Sequence, residues 1–334
     1  MQKVKHNAVA GIGSALVDVL VRLEDDRLLE KFGLSRGSMT LVDAALSQTI
    51  LDETADLERT LETGGSSANT IRAIAQLKGR TGFFGKIGDD EMGRFFRSAF
   101  ERLAVSPHLL YSSTPTGKAA TLISPDSERT FGTYLGAAGE LTAAEIDPVM
   151  FSGYDYLHVE GYLVFKGELI EGVLKKAKAA GLKISLDLAS YNVVEANLDF
   201  LHYLLCEYVD LVFANAEEAR AYCGLDPLEA AGALASNCQI AVVKTGREGS
   251  LIWTGNTLIR IDTPQVHAVD TTGAGDVYAA GFLYGLACGF GLRQCGALGS
   301  LLASKVIQVH GARIPDADLP EILREKERLR RESE

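Results

Sequence analysis

Apolar residues along the chain fall into two alternating rhythms. Short continuous runs at 8–12, 17–23, 81–88, 156–159, 183–188, 211–214 and 240–244 have the length and make-up of strands buried on both faces. Between most of them lie stretches of helical period at 67–77, 91–103, 167–180, 198–206 and 216–222. Strands and helices in such succession predict an α/β fold, a mostly parallel sheet flanked by helices in the doubly wound manner. Residues 107–135 break the rhythm, with Pro115, Pro125, Gly117 and Gly132 among β-rich fragments at 117–124 and 129–134. Together with part of 14–42 they are expected to form a small β appendage to the sheet, either a lid or an inert surface hairpin. The charged run 321–334 reads as a solvated helix end, and no repeat of about 20 to 50 residues is present.

Composition narrows the class. The 334 residues suffice for one large α/β domain or two smaller ones, and 47% hydrophobic against 23% charged residues describes a globular chain rather than a disordered one. A net charge of −11 argues against nucleic acid as a partner, because such binding needs clustered Lys and Arg. An anionic ligand then requires a local device such as converging backbone amides. The start, residues 1–7, is polar and basic, and no segment approaches about 18 uninterrupted apolar residues, so a cytoplasmic protein with no membrane partner is expected. The cysteines Cys206, Cys223, Cys238, Cys288 and Cys295 form no C-x-x-C pair and read as reduced thiols, not zinc ligands.

The strongest chemical signal is Asp270-Thr271-Thr272-Gly273-Ala274-Gly275-Asp276, running into the helical stretch 277–287. Small residues at Gly273, Ala274 and Gly275 let a ligand approach the backbone, and the helix start aims free N–H groups and a positive dipole end at one spot, a site for phosphate oxygens. Asp276 stands at that terminus, where the dipole favours its anion, placed to accept the proton of an attacking hydroxyl. An aspartate that only caps a helix is the plainer reading, and seven residues of this type together outweigh it. A second segment, Gly64-Gly65-Ser66-Ser67-Ala68-Asn69, also leads into an apolar helix. Its glycines open the backbone to a ligand's hydroxyls and Asn69 offers donor and acceptor, although a serine-capped turn has the same pattern. Asp18 beside it suits bidentate bonding to a diol, or is a solvated charge at a strand edge. Gly11-Ile12-Gly13 begins a dinucleotide fingerprint but has Leu16 at the third glycine and an apolar run after it, so a nucleotide-binding oxidoreductase is a weak alternative. P-loop and protein-kinase motifs are absent from the sequence.

These residues resemble the signature regions of the ribokinase-like, or PfkB, carbohydrate kinase family. The resemblance rests on Gly64–Asn69, on the run 82–93 with Gly88-Asp89-Asp90, on Asn215-Ala216-Glu217-Glu218, on Lys244-Thr245-Gly246-Arg247-Glu248-Gly249 and above all on 270–276, and it covers most of the chain. It implies one ribokinase-like domain over 1–334, with a lid from parts of 14–42 and 107–135, that transfers the γ-phosphate of ATP to a hydroxymethyl group. Asp276 would be the base, and the amides of Gly273, Ala274 and Gly275 the anion hole. Asp18, Gly64, Gly65 and Asn69 would hold the acceptor. Asn215, Thr245, Gly246 and Gly249 would face the nucleotide, with Glu218 organising Mg²⁺ through water. A monovalent cation, K⁺, would lie at Asp270 and the Thr272 carbonyl, and a homodimer would form through the lid.

Within the family, 15–20, the long spacer to Gly64, and Glu160-Gly161-Tyr162-Leu163 resemble the adenosine kinase branch. Leu16, Tyr162 and Leu163 are then candidates for a wall against a purine, or equally for core packing. Glu128-Arg129-Thr130-Phe131 resembles a segment of the sugar kinases instead. The expected acceptor is a nucleoside such as adenosine; the alternatives are fructose, ribose or 2-keto-3-deoxygluconate, and a catalytically silent sugar-binding member of the fold.

Overall fold

The computed structural model describes residues 6–126 and 128–333. Residues 1–5 of the polar start, Ser127 of the expected appendage and Glu334 of the charged tail lie outside them. The strands of the first half are β1 (Ala8–Ile12), β2 (Leu16–Arg22), β3 (Met39–Leu41), β4 (Arg59–Gly64), β5 (Arg80–Gly88), β6 (Ser106–Ser112), β7 (Thr116–Ile123) and β8 (Arg129–Gly136). Those of the second half are β9 (Tyr156–Glu160), β10 (Lys183–Asp187), β11 (Leu211–Asn215), β12 (Ile240–Lys244), β13 (Ser250–Thr254) and β14 (Thr257–Ile261).

The main sheet has nine strands in the order β14-β13-β12-β11-β10-β9-β1-β5-β6. It is parallel from β12 to β6, and only the β12–β13–β14 edge is antiparallel. Successive side chains point to opposite faces, so neighbours in sequence divide between two cores. Phe83 and Phe213 pack on one side with Ile71, Phe96 and Phe282; Phe84 and Val212 pack on the other with Leu157, Leu186 and Leu174. Such two-sided burial explains the uninterrupted apolar runs of the central strands. The chain leaves β1 in one direction to β5 and in the other to β9, a topological switch that opens a crevice at the carboxyl ends of the strands. Glu160, Asp187, Asn215 and Lys244 are the last residues of β9, β10, β11 and β12, all at that crevice.

The second sheet has the order β3-β8-β7-β2-β4. One face, with Val19, Val21, Ala120 and Leu122, is sealed by Leu29 and Phe32 of the helix Arg27–Phe32 and by Ile50 and Leu51 of the helix Ala44–Glu53. On the opposite face the register aligns Asp18 with Glu62, Ala119 and Thr133, and Leu20 with Thr121 and Phe131. Two features differ from the sequence expectation. β6, inside the stretch assigned to the appendage, pairs in parallel with β5 and edges the main sheet, whereas β4, outside that stretch, closes the second sheet against β2. β4 was hidden because its alternation, Thr60-Leu61-Glu62-Thr63, is mostly polar on both faces. The β13–β14 hairpin was not foreseen either. Beyond Ile12 the chain enters β2 rather than a helix, so no dinucleotide fingerprint forms at Gly11–Gly13.

Phe282 is fully buried and meets Phe213 edge-on with ring centroids 5.4 Å apart. Phe282→Ala is expected to lower stability by about 3–5 kcal/mol through lost burial and the cavity left behind. The check is a urea transition whose midpoint falls at constant slope, and a loss below about 1 kcal/mol would mean the site collapses around the gap.

Candidate active site

The loop 270–276 is held by its own first residue: the Asp270 carboxylate accepts the Thr272 N–H at 2.9 Å and the Gly311 N–H at 2.8 Å. Gly273 then turns left-handed, at φ 73°, and caps the helix Ala274–Cys288. A Cβ at that position would stand 2.3 Å from the Ala312 Cβ, so both backbone angle and space require glycine. The N–H of Ala274 folds back onto the Thr271 carbonyl at 3.2 Å. Among the described residues the N–H groups of Gly273, Gly275 and Asp276 meet no backbone acceptor. Of the three amides expected to form an anion hole, those of Gly273 and Gly275 are thus open, as is that of Asp276, whereas that of Ala274 is engaged. A cation stands beside Gly275. The Lys244 Nζ lies 2.9 Å from where a Gly275 Cβ would be and 3.0 Å from Asp187 Oδ2. Burial disfavours this ammonium, but Asp187 and Glu218 outweigh burial and raise its pKa. Lys244 received no role from the sequence, and its position at a strand end directly before Thr245-Gly246 was the available signal.

Asp276 is bracketed by the other glycine segment. Its Oδ1 accepts from the Ser66 hydroxyl at 2.7 Å, its Oδ2 from Asn69 Nδ2 at 2.9 Å, and its carbonyl from the Thr70 hydroxyl at 3.0 Å. Burial pushes its pKa up to about 7 and Asp187 adds to this, against the lowering pull of the Asn69 and Ser66 bonds and of Lys244. Burial thus wins over the helix dipole, and the carboxylate is poised near neutral pH instead of being held firmly ionised. Asn69, expected to bind the acceptor, has its nitrogen on Asp276 and its oxygen on Arg72 Nη2 at 3.1 Å, so it orients the Asp276 carboxylate.

Asp18 faces the same crevice. It is paired across β2–β4 with Glu62, and its Oδ1 lies 2.0 Å from where a Gly64 Cβ would be, so the missing side chain leaves room for the carboxylate. Burial raises its pKa to about 7, opposed by Arg72 and Arg129 and assisted by Glu62. Gly65 caps the helix Ser66–Gln76. Leu16 is buried on the Asp18 face, and Tyr162 is close enough to Glu160 and Asp276 to feel both charges. Leu163 does not belong to a wall: it is buried in the core beside Val164 and Leu188. Glu160 went unassigned in the sequence, yet it is fully buried and accepts the Ser14 N–H at 2.8 Å, the Ser14 hydroxyl at 2.7 Å and, more weakly, the Ser67 N–H, pinning both glycine turns.

On the nucleotide side, Asn215 and Glu218 form a reciprocal cap on the helix Ala216–Cys223. The Asn215 oxygen accepts the Glu218 N–H at 2.8 Å, and the Glu218 carboxylate accepts from the Asn215 N–H at 2.8 Å and Nδ2 at 2.6 Å. Burial and Asp187 push the Glu218 pKa up, against Lys244. Among the described residues no three Asp, Glu, His or Cys side chains converge as a metal cage. Both Glu218 oxygens are engaged by Asn215, so an ion delivered on phosphates, which keeps most of its waters, would meet this carboxylate only through water. The Thr245 hydroxyl donates to the Gly249 carbonyl at 3.0 Å, so it shapes the turn Gly246–Glu248, and Gly246 and Gly249 flank that turn.

Asp270 differs from expectation. Its Oδ2 lies 2.6 Å from Arg129 Nη2 with both side chains buried, so the carboxylate foreseen as a K⁺ ligand already faces a guanidinium.

The family model of the pfkB family carbohydrate kinases matches residues 37–319. Among solved structures the chain is similar to the adenosine kinase from Sinorhizobium meliloti, at 33% identity and a TM-score of 0.86 over 95% of this chain and 98% of that one. It is also similar to a probable sugar kinase from Rhizobium etli CFN 42, at 30% identity and a TM-score of 0.86 over 98% of this chain and all of that one. Among curated proteins, the 5-dehydro-2-deoxygluconokinase of Shouchella clausii is 29% identical over 316 residues, 87% of this chain and 94% of its own length. The family match over residues 37–319, with a solved adenosine kinase similar at 33% identity over 95% of the chain, makes this chain a member of the pfkB family of carbohydrate kinases, a ribokinase-like phosphotransferase acting on an alcohol group of a sugar or nucleoside.

Proposed function

We propose that the protein transfers the γ-phosphoryl group of ATP to the primary hydroxyl of a nucleoside, with adenosine as the type acceptor and Asp276 as general base. The observation that carries the choice of acceptor is the crevice-facing side of the second sheet, where Leu16 and Ala119 are buried and Leu20 and Phe131 half-buried. Leu16, Leu20, Ala119 and Phe131 lie on it in register with Asp18, and Met39 and Leu41 of β3 continue it at 40% and 56% exposure. The opposite face is sealed by helices; this one offers apolar side chains beside the Asp18 carboxylate and its cross-strand neighbour Glu62, which suits a flat base carried on a ribose. Tyr162 closes the crevice from the main sheet, and the second sheet acts as the lid. The exposed edge at β3 is where a second copy would pair lid to lid. Residues 6–126 and 128–333 contain no helix long and apolar enough to cross a membrane, which agrees with a cytoplasmic enzyme.

Chemically, the acceptor oxygen attacks the γ-phosphorus as its proton passes to the Asp276 carboxylate, and the bond from phosphorus to the β,γ-bridging oxygen breaks to release ADP. Lys244 and the open amides of Gly273, Gly275 and Asp276 neutralise charge growing on the transferred group, without reorganising at the moment of reaction. Asn69 and Ser66 hold the base in line, and Asn215 with Glu218 borders the phosphates. Mg²⁺, arriving with ATP near Glu218, would supply further charge neutralisation.

Asp276→Asn should keep the fold and ATP binding and lower kcat by about 10² to 10⁴, since an amide accepts no proton. Retention of more than half the wild-type turnover would reject Asp276 as the base.

With the Asp276 pKa raised to about 7, the working anion is lost as pH falls through that value. The prediction is a kcat/KM that drops about tenfold per unit below pH 7 and levels off above it. A profile flat from pH 5.5 to 8 would contradict the assignment (~2.5 units spanning the expected midpoint).

For the acceptor, kcat/KM is compared across adenosine, ribose, fructose and 2-keto-3-deoxygluconate. A stacked base should favour adenosine by at least about tenfold. Preference for any free sugar, an acceptor class that relatives such as the deoxygluconokinase support, would replace the nucleoside reading and leave Asp276 untouched. No turnover of any acceptor would point to a silent sugar-binding member of the fold.

A further inference from the structure

We infer that Arg129 is the resident cation of the anion-hole loop: its guanidinium occupies the Asp270 position that a monovalent metal ion would take, and turnover therefore needs no K⁺. The inference rests on the phosphotransferase activity and not on which acceptor is used.

The residues around Asp270 do not fit an added cation. Both carboxylate oxygens already accept N–H groups, Oδ1 that of Thr272 at 2.9 Å and Oδ2 that of Gly311 at 2.8 Å. Oδ2 is also 2.6 Å from Arg129 Nη2, and the two side chains are only 5% and 6% exposed. An alkali ion on this carboxylate would lie within a few ångströms of a permanent positive charge that water does not screen. It would also need a cage of oxygens in place of its hydration shell, where this carboxylate presents itself to nitrogen donors. Arginine stays charged at any working pH, so the substitute cation cannot be lost by deprotonation.

The geometry describes a strut rather than a saturated hydrogen-bond fork. Neither Nε nor Nη2 of Arg129 meets an acceptor along its N–H, so the contact with Asp270 is an ion pair whose strength comes from burial and proximity. A guanidinium in that state is held by charge alone, which is the role of an alkali ion. Unlike a diffusible ion, it is covalently part of β8, on the same face of the second sheet as Asp18, whose titration it influences. The cation of the anion-hole loop and the wall above the acceptor thus move as one piece. Asp270 fixes Thr272 and Gly311, Gly311 adjoins Ala312, and Ala312 is the residue against which Gly273 packs. Through this sequence of contacts Arg129 is a positioning residue for the open amides, not a group that touches the transferred phosphate.

The test compares the purified enzyme in KCl, NaCl and tetramethylammonium chloride at equal ionic strength, after exchange into buffer free of K⁺ and Na⁺. Initial rates are read with saturating MgATP and whichever acceptor the panel identifies. Rates equal within about twofold are expected, and activation by K⁺ beyond about fivefold overturns the proposal. Thermal melts without substrates provide a readout independent of activity: a bound ion stabilises by mass action, so the wild-type midpoint should be the same in K⁺ and tetramethylammonium, and a rise of more than about 2 °C in K⁺ also overturns it. In tetramethylammonium, Arg129→Ala should lose at least about tenfold in kcat, with Arg129→Lys losing less because the ammonium keeps the charge. Wild-type kcat in Arg129→Ala without any alkali ion would show that the loop needs no cation there and would equally reject the role.

Discussion

Like charges crowd the carboxyl edge of the main sheet, and most of the site's architecture follows from holding them there. Asp18, Asp187, Glu218 and Asp276 face one crevice, each inside the protein and each felt electrostatically by at least one of the others. Left alone, such a group would protonate until the repulsion eased. Burial above all, with repulsion between the carboxylates adding to it, pushes the pKa values of Asp18 and Asp276 up to about 7 and raises that of Glu218. Asp187 escapes it: burial works against its anion, but Lys244 at 3.0 Å carries its pKa below the ordinary value. The result is a division of labour among chemically similar groups. One carboxylate, Asp187, is a fixed anion that seats Lys244 beside the loop 270–276, and another, Asp276, is left balanced between its two forms, which suits the proposed general base.

Cations reach this crevice from both sheets. Lys244 comes from β12, Arg129 from β8, and Arg72 from the helix Ser66–Gln76, where it donates to the carbonyls of Thr63 and Ala312 at 3.0 Å each. Arg72 is wholly buried and has no carboxylate in hydrogen-bond contact among the described residues; carbonyl and amide oxygens satisfy it instead. That arrangement keeps a positive charge near Asp18 without tying up the carboxylate, which remains available to a ligand's hydroxyls. A direct Asp18–Arg72 fork would have given a tighter ion pair and a closed site.

Much of this was legible in the chain, and what escaped did so for a physical reason. The central strands and the loop 270–276 announce themselves because two-sided burial and a glycine-rich helix start leave local signatures. Asp276, Gly273 and Gly275 were identifiable on those grounds alone. β4 carries polar residues on both faces, so no alternation marked it. Lys244 and Glu160 were invisible as site residues because their roles depend on partners from other elements, Asp187 for one and Ser14 with Ser67 for the other. The Arg129–Asp270 pair joins two segments whose local sequences were both noticed and were not connected, since nothing local encodes a contact between a strand and a loop so distant in sequence.

Asp276 is the point where these long-range contacts meet. From Asp276 a path of hydrogen bonds runs to Asn69 at 2.9 Å, from Asn69 to Arg72 at 3.1 Å, and from Arg72 to the Thr63 carbonyl on β4 and to Ala312. A separate path runs from Arg129 on β8 through Asp270 and Gly311 to the same Ala312, against which Gly273 is pressed. The second sheet is therefore tied at β4 to Asp276 and at β8 to the loop 270–276. Under the proposed mechanism both ends of the reaction coordinate are braced by one sheet, which suits phosphoryl transfer, whose catalysis is largely positioning and charge stabilisation.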